Sequence, residues 1–384
     1  MAWRRATTAA TAVCVLAAGC AAGDEVDLGT LRVGTNSTAV RTIPDRPSLT
    51  NGTVLEGIRM SDAVADTSQF GSSLTHVWQA GPVTDNAGIA PIVGEAGTQI
   101  LARLGWVSGY RAQYADMPRP SGDTAPPSAV ALSITLLRFP DDTAARRAAS
   151  ALETTNWTDF GNTVAAPLPK HREIAARYTP GTGVLLLDTS IGPFALRLKL
   201  DAPPDGIDRR VGELDAVLDE EHTLLQAFTP TPVTEIPSLP PDPGGLLAHM
   251  VATDPVRQPA PSPAFAVYGA TGALRDQSPT MRRDRLYEKW GVEALAVSGG
   301  QHMYRLRDHR AAKDMAAAFA ARSSGGDHEI GGDQNLPDTQ CFTPARGAAA
   351  CRMVFDNVYT EVRADTTSSV EEKAAAQYAL LATR

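Results

Sequence analysis

Residues 184–200 read VLLLDTSIGPFALRLKL. An apolar run enters Ser190-Ile191-Gly192-Pro193 and leaves it as an alternation, with Phe194, Leu196, Leu198 and Leu200 set against Ala195, Arg197 and Lys199. Glycine and proline supply the turn, and the period of two places one apolar row on one face, so the stretch predicts a β-hairpin lying on a core. Immediately downstream Ile207, Val211, Leu214, Leu218 and Leu225 recur at helical spacing, which predicts an amphipathic helix that closes the unit.

Upstream of the hairpin, residues 92–104 predict a helix that runs into Gly105 and a strand over 106–115. A second strand follows at 130–137, with Val130, Leu132, Ile134 and Leu136 on one face. Asp141 or Asp142 can then cap a helix whose stripe is Ala144, Ala148, Ala151 and Leu152. Downstream lies TPTPVTEIPSLPPDPGG, residues 229–245, too rich in proline to continue a helix or a central strand. Beyond this boundary the same order of elements returns. A helix over 280–290 leads through Gly291 to strands at 292–297 and 302–306, and Asp308 caps a helix with the stripe Ala312, Met315, Ala316 and Phe319. A hairpin at 352–363 turns at Asp356-Asn357, and a final helix begins at a capping box, Ser369 with Glu372, and buries Val370, Ala374, Tyr378 and Leu381. Helices interspersed with antiparallel hairpins imply an α+β fold. The expectation is two duplicated α+β domains, 53–228 and 246–384, each an antiparallel sheet with helices packed on one face, joined by the linker 229–245.

The chain starts with a different signal. Arg4 and Arg5 precede an uncharged stretch over 6–18, and Leu16-Ala17-Ala18-Gly19-Cys20 places small residues before a cysteine. This is the pattern of a lipoprotein signal peptide, residues 1–19, whose removal leaves Cys20 as an N-terminus able to carry diacylglycerol and a further acyl chain. The expected location is the extracytoplasmic face of the cell membrane, with residues 20–52, rich in Gly, Thr, Asn and Pro, as a tether. If flexible, that tether would set the first domain roughly 30 Å from the membrane.

Of 384 residues, 43% are hydrophobic and 20% charged, enough to bury substantial cores. Without the signal, 33 basic residues stand against 43 acidic ones, and a mature charge of −10 offers no basic surface for phosphates, so no nucleic-acid partner is expected. Four cysteines are present; Cys14 leaves with the signal and Cys20 is the lipidation site, which leaves Cys341 and Cys351. In an exported chain this pair reads as a disulfide, because zinc would need two further ligands and His328 alone does not supply them.

Several segments resemble actinobacterial cell-envelope lipoproteins of an uncharacterised family: VDLGTLRVGT at 26–35, EGIRMSDAVA at 56–65, LLQAFTPTPVTEIPSLPPDPGGLLAHM at 224–250, YGATGALRD at 268–276 and EKWGVEALAV at 288–297, with the cysteine pair and the closing AAAQYALL. The resemblance implies a lipid-anchored, two-domain protein and contributes no catalytic residue.

Motifs for chemistry are missing. There is no Gly-x-Ser-x-Gly elbow and no Ser-x-x-Lys pair, and Ser72, Ser108 and Ser190 sit in turn-like contexts. Asp327-His328-Glu329 with Asp333 and Asn335 has a calcium-like composition without EF-hand spacing, and reads as a solvated loop. Glu221-His222 is placed on the solvent face of its helix, and Gly269-Ala270-Thr271-Gly272 lacks the lysine of a phosphate loop and reads as a strand turn. The chain is therefore expected to be non-enzymatic, with no cofactor and no metal, the alternatives being an envelope hydrolase with a dispersed active site or a structural envelope scaffold. Its partners are expected to be the lipid membrane, through acylated Cys20, and a small ligand or envelope protein, with the cleft between domains as the place to look.

Overall fold

The computed structural model describes residues 26–70, 72–121, 126, 128–159, 162–204, 207–252, 259–275, 279–283, 285–323, 328–330, 336–344 and 347–384. Among them the first half contains α1 (Leu49–Met60), β1 (His76–Val83), α2 (Asn86–Arg103), β2 (Ser108–Ala115), β3 (Ala131–Arg138) and α3 (Asp142–Asp159). It continues through β4 (Val164–Pro167), β5 (Ala175–Tyr178), β6 (Val184–Ile191), β7 (Phe194–Asp201) and α4 (Ile207–Ala227). The second half comprises β8 (Phe265–Gly269), α5 (Ala270–Leu274), α6 (Pro279–Arg283), α7 (Leu286–Trp290), β9 (Val292–Ser298), β10 (Gln301–Leu306) and α8 (His309–Ser323). It closes with β11 (His328–Ile330), β12 (Thr339–Thr343), β13 (Ala349–Phe355), β14 (Val358–Ala364) and α9 (Thr367–Ala382).

Strand order demonstrates the duplication. The first sheet runs β1-β2-β3-β7-β6-β5-β4 and the second, counted from its other edge, β8-β9-β10-β14-β13-β12-β11. Each is first, second, third, seventh, sixth, fifth, fourth, and every pairing is antiparallel. The hairpin read from residues 184–200 forms in register, Ile191 opposite Phe194 across Gly192-Pro193. It lies at the centre of the first sheet because β7 also pairs with β3.

The two-domain α+β layout is as the sequence predicts, while the helices cover both faces of each sheet rather than one. In the first domain Leu214, Val217, Leu218 and Leu225 of α4 pack with Leu132, Ile134 and Leu136 of β3 and Leu196 and Leu198 of β7. On the opposite face α2 and α3 cover Leu137 and Ala195. Ala195 and Arg197 of the row that alternation marks as outward are therefore buried as well, while Lys199 stays half-exposed, and Arg197 pairs there with Asp188 at 2.8 Å and donates to the Ile92 carbonyl. The second domain matches: α9 packs on Met303, Cys351, Met353 and Val362, and α8 on Tyr304, Val354 and Tyr359.

Other expectations shift for local reasons. The helix predicted over 92–104 begins at Asn86, capped by Asp85, and is broken at Gly94, whose φ of 72° only glycine adopts cheaply. The single helix predicted over 280–290 is two, separated where Arg285 turns left-handed (φ 51°). Buried Met281, Arg282, Tyr287 and Trp290 would lie all around one continuous helix, and the break lets each reach the interior. The final helix is capped by Thr366, which accepts from the Ser369 amide, instead of by a box at Ser369.

Two segments expected to be loose are docked. From Val26 the stretch read as a tether lies against the second domain: Val26, Leu31, Val33 and Ile43 pack on its core, and Arg41 bonds the Leu247 and Ala248 carbonyls. Its last residues belong to α1, because Ser48 caps a helix there. The proline-rich segment is held too, with Ile236 fully buried and the Ser48 amide donating to the Pro237 carbonyl.

Candidate functional site

The two domains meet along a seam organised by α1. Glu56, fully buried on α1, accepts from Arg59 (2.6 Å), from the Thr231 amide (3.2 Å) and hydroxyl (2.7 Å), and from Arg138 of β3. Arg138 also donates to the Thr231 carbonyl, and Arg59 to the Thr229 carbonyl while lying over the Phe228 ring. One carboxylate thus fixes the start of the proline-rich segment to the first domain.

The second domain is fastened at the C-terminal end of the same helix. Asp62 accepts from the Gly272 amide at 2.7 Å and so caps the N-terminus of α5 from the other domain. Burial raises its pKa, and the Gly272 and Thr271 amides and nearby Arg275 pull it back down. A side chain at Gly269 would collide with the Asp62 carboxylate, and one at Gly272 with the Ser61 hydroxyl; glycine allows this close approach. Arg275 enters the first domain and donates to the carbonyls of Ser61 (2.6 Å) and Val64 and to the Tyr114 hydroxyl (3.1 Å). Arg282 follows, fully buried, on Asp66 (2.9 Å) and the Thr75 carbonyl. Breaking a buried pair of this kind typically costs about 3–5 kcal/mol, because the survivor is an uncompensated charge.

Glu221 of α4 sits in this joint, contrary to its expected solvent-facing position. It is fully buried, its Oε1 accepts from the Ala65 amide at 2.8 Å, and its Oε2 has no partner. Burial pushes its pKa up to about 8, against the lowering effect of the Ala65 bond and of Arg275. His222, one residue on, turns outward and stacks on His171.

At the other end the seam is open. A cleft of about 680 Å³ is walled by Ile43 and Pro44, by Asn51 and Leu55 of α1, by Leu239 and Pro241, and by residues 259–265 at the entry to β8. Most of this lining is apolar or proline, with Asp45 and Arg46 at the rim. Its size falls within the roughly 300–1,000 Å³ of small-molecule sites.

Of the residues singled out by sequence, Cys20 lies outside the described residues, as do Asp327, Asp333 and Asn335. Cys341 and Cys351 face each other across the β12–β13 ladder and are joined as a disulfide. His328 and Glu329 fall on β11. Among the described residues no three His, Cys, Asp or Glu side chains are gathered as a metal ion would require. Ser108 donates to the Thr53 carbonyl and Ser72 accepts from the Leu74 amide, both structural bonds. The short Gly269-Ala270-Thr271-Gly272 segment opens a helix, and the anion at its amides is the protein's own Asp62.

Two family profiles match, the N-terminal domain of unknown function DUF7373 over residues 43–241 and its C-terminal counterpart over 246–384. The chain belongs to the DUF7373 family. Its two parts meet within the proline-rich segment, at the seam just described. No curated protein and no solved structure matches this DUF7373 chain. Three segments that carried the resemblance converge at the joint: 56–65 supplies Glu56, Arg59 and Asp62, 224–250 supplies Thr231, and 268–276 supplies Gly272 and Arg275. Sequence reasoning missed these residues because nearly all their partners lie 82 to 214 positions away. The only cue was a run of charged residues inside otherwise apolar segments.

Proposed function

We propose that this DUF7373 protein is an exported, lipid-anchored and non-enzymatic binding protein of the cell envelope, whose cleft at the domain seam takes a small, largely apolar ligand. The cleft of about 680 Å³ carries this reading. Its walls come from both domains and from the segment between them, so one ligand touches parts of the chain that are remote in sequence. Prolines at 44, 241, 259 and 261 line it, and they lack the amides that would let neighbouring backbone close the gap by pairing. The joint at the other end of α1 holds the walls apart, so the site is preformed and binding has little ordering cost. Cys20, behind its run of small residues, supports the anchor.

The test is titration of the purified protein with a fluorescent apolar probe such as a naphthylamine dye, beside Ala264→Trp. Ala264 is an exposed residue of the cleft wall, and the larger ring fills space without entering the core. Saturable binding that the variant weakens tenfold or more is expected. Equal binding by both proteins would remove the cleft as the site. Turnover of an ester, peptide, glycoside or phosphate substrate, lost on changing one Ser, His or Asp, would replace binding by hydrolysis.

A further inference from the structure

We infer that residues 26–49 form a membrane-contacting surface that holds the mouth of the cleft against the bilayer. The inference rests on the proposed anchor at Cys20 and deepens it. Because the chain docks on the second domain from Val26 onward, the spacer between anchor and folded body is five residues rather than a tether of 32. The six Cα–Cα steps from Cys20 to Val26 span at most about 20 Å even when fully extended. Lipid anchored at Cys20 therefore brings this part of the body to the membrane surface.

The surface it presents suits that position. Leu28, Val40 and Leu49 are three of the five large apolar side chains exposed among the described residues, and all three fall in these 24 residues. The stretch has three arginines against two aspartates and no glutamate, whereas the mature chain as a whole is strongly acidic. It escapes the repulsion that an anionic bilayer would exert on the remainder. With two or more acyl chains the anchor holds without help, so apolar side chains beside it serve to orient the body on the bilayer. The same stretch reaches the cleft: Ile43, Pro44, Asp45 and Arg46 line it, and Leu49 begins the helix that supplies Asn51 and Leu55. An apolar ligand would then pass from lipid into the cleft without crossing open water.

The experiment uses the full lipidated protein in phosphatidylethanolamine–phosphatidylglycerol vesicles. An environment-sensitive fluorophore is attached through Val40→Cys, Leu49→Cys or, as control, Val164→Cys on β4, which is similarly exposed. Brominated lipids should reduce emission about twofold or more at positions 40 and 49 and leave position 164 unchanged. Protein that carries lipid by mass and floats with the vesicles, yet is quenched equally little at all three positions, would overturn the surface and leave the anchor standing. Protein that carries no lipid and does not float would overturn both.

Discussion

At one end of α1 the seam between domains buries charge, and at the other end it leaves apolar walls apart. Glu56 is paired there with Arg59 and Arg138 and Asp66 with Arg282, Asp62 caps α5 and Arg275 donates to the Ser61 and Val64 carbonyls, whereas Leu55, on the same helix, faces the cleft with Pro44, Leu239 and Pro241. The difference shows why such a seam can be rigid and open together. The buried Arg282–Asp66 pair and the bonds of Asp62 and Arg275 cross between the domains and fix how they sit, while four prolines in the cleft walls offer no amide for pairing across the gap. The cleft's shape is thus set some distance away, by residues that never line it.

The comparison breaks most severely at Arg282. Arg282→Ala should lower stability by about 3–5 kcal/mol in urea unfolding, since Asp66 is left buried beside a second oxygen that already lacks a partner. Both domains should lose stability together. Arg282→Met combined with Asp66→Leu should recover most of the loss, and no recovery would mean that the pair holds specific geometry rather than compensating charge.

A smaller and more local loss is expected at the disulfide, which lies away from the seam. Cys341→Ser with Cys351→Ser releases a link between residues 10 apart and should cost about 2.5–3 kcal/mol by the loop-entropy relation. Hydrogen exchange should rise in β11, β12 and β13 while the first domain keeps its protection; equal loosening of both domains would mean that the second sheet's edge also supports the joint.

A last probe is pH, read as a slope rather than as a single loss. Glu221 titrates near 8 when folded against an ordinary value of 4.5 when unfolded, so the unfolded chain binds fewer protons between those values. The stabilising contribution is complete below pH 4.5 and falls as pH rises towards 8, by about 1.4 kcal/mol per unit at most. Glu221→Gln should flatten that slope in thermal melts between pH 5 and 8. An unchanged slope would assign the pH dependence to another group.

How far these features were legible depends on the range of the interaction. The hairpin 184–200 and α4 were readable because turn residues and side-chain period act within a few positions. β1 escaped because HVWQAGPV has a glycine and a proline and half-buried side chains at nearly every position, which leaves no alternation. The joint was illegible for a different reason: Glu56 or Arg275 in isolation looks like any surface charge, and only partners remote along the chain make its burial tolerable.

The sequence by itself determined the class of fold, the duplicated order of elements, the even cysteine pair and the small-residue run before Cys20, all carried by neighbours along the chain. Tertiary structure alone decided that residues 26–48 and the proline-rich segment dock, that Glu221 is inside, and that helices cover both faces of each sheet. It also decided that a cleft remains at the seam. Those outcomes depend on which surfaces meet after the chain has doubled back, and a residue's type fixes its chemistry but not the group that will stand opposite it.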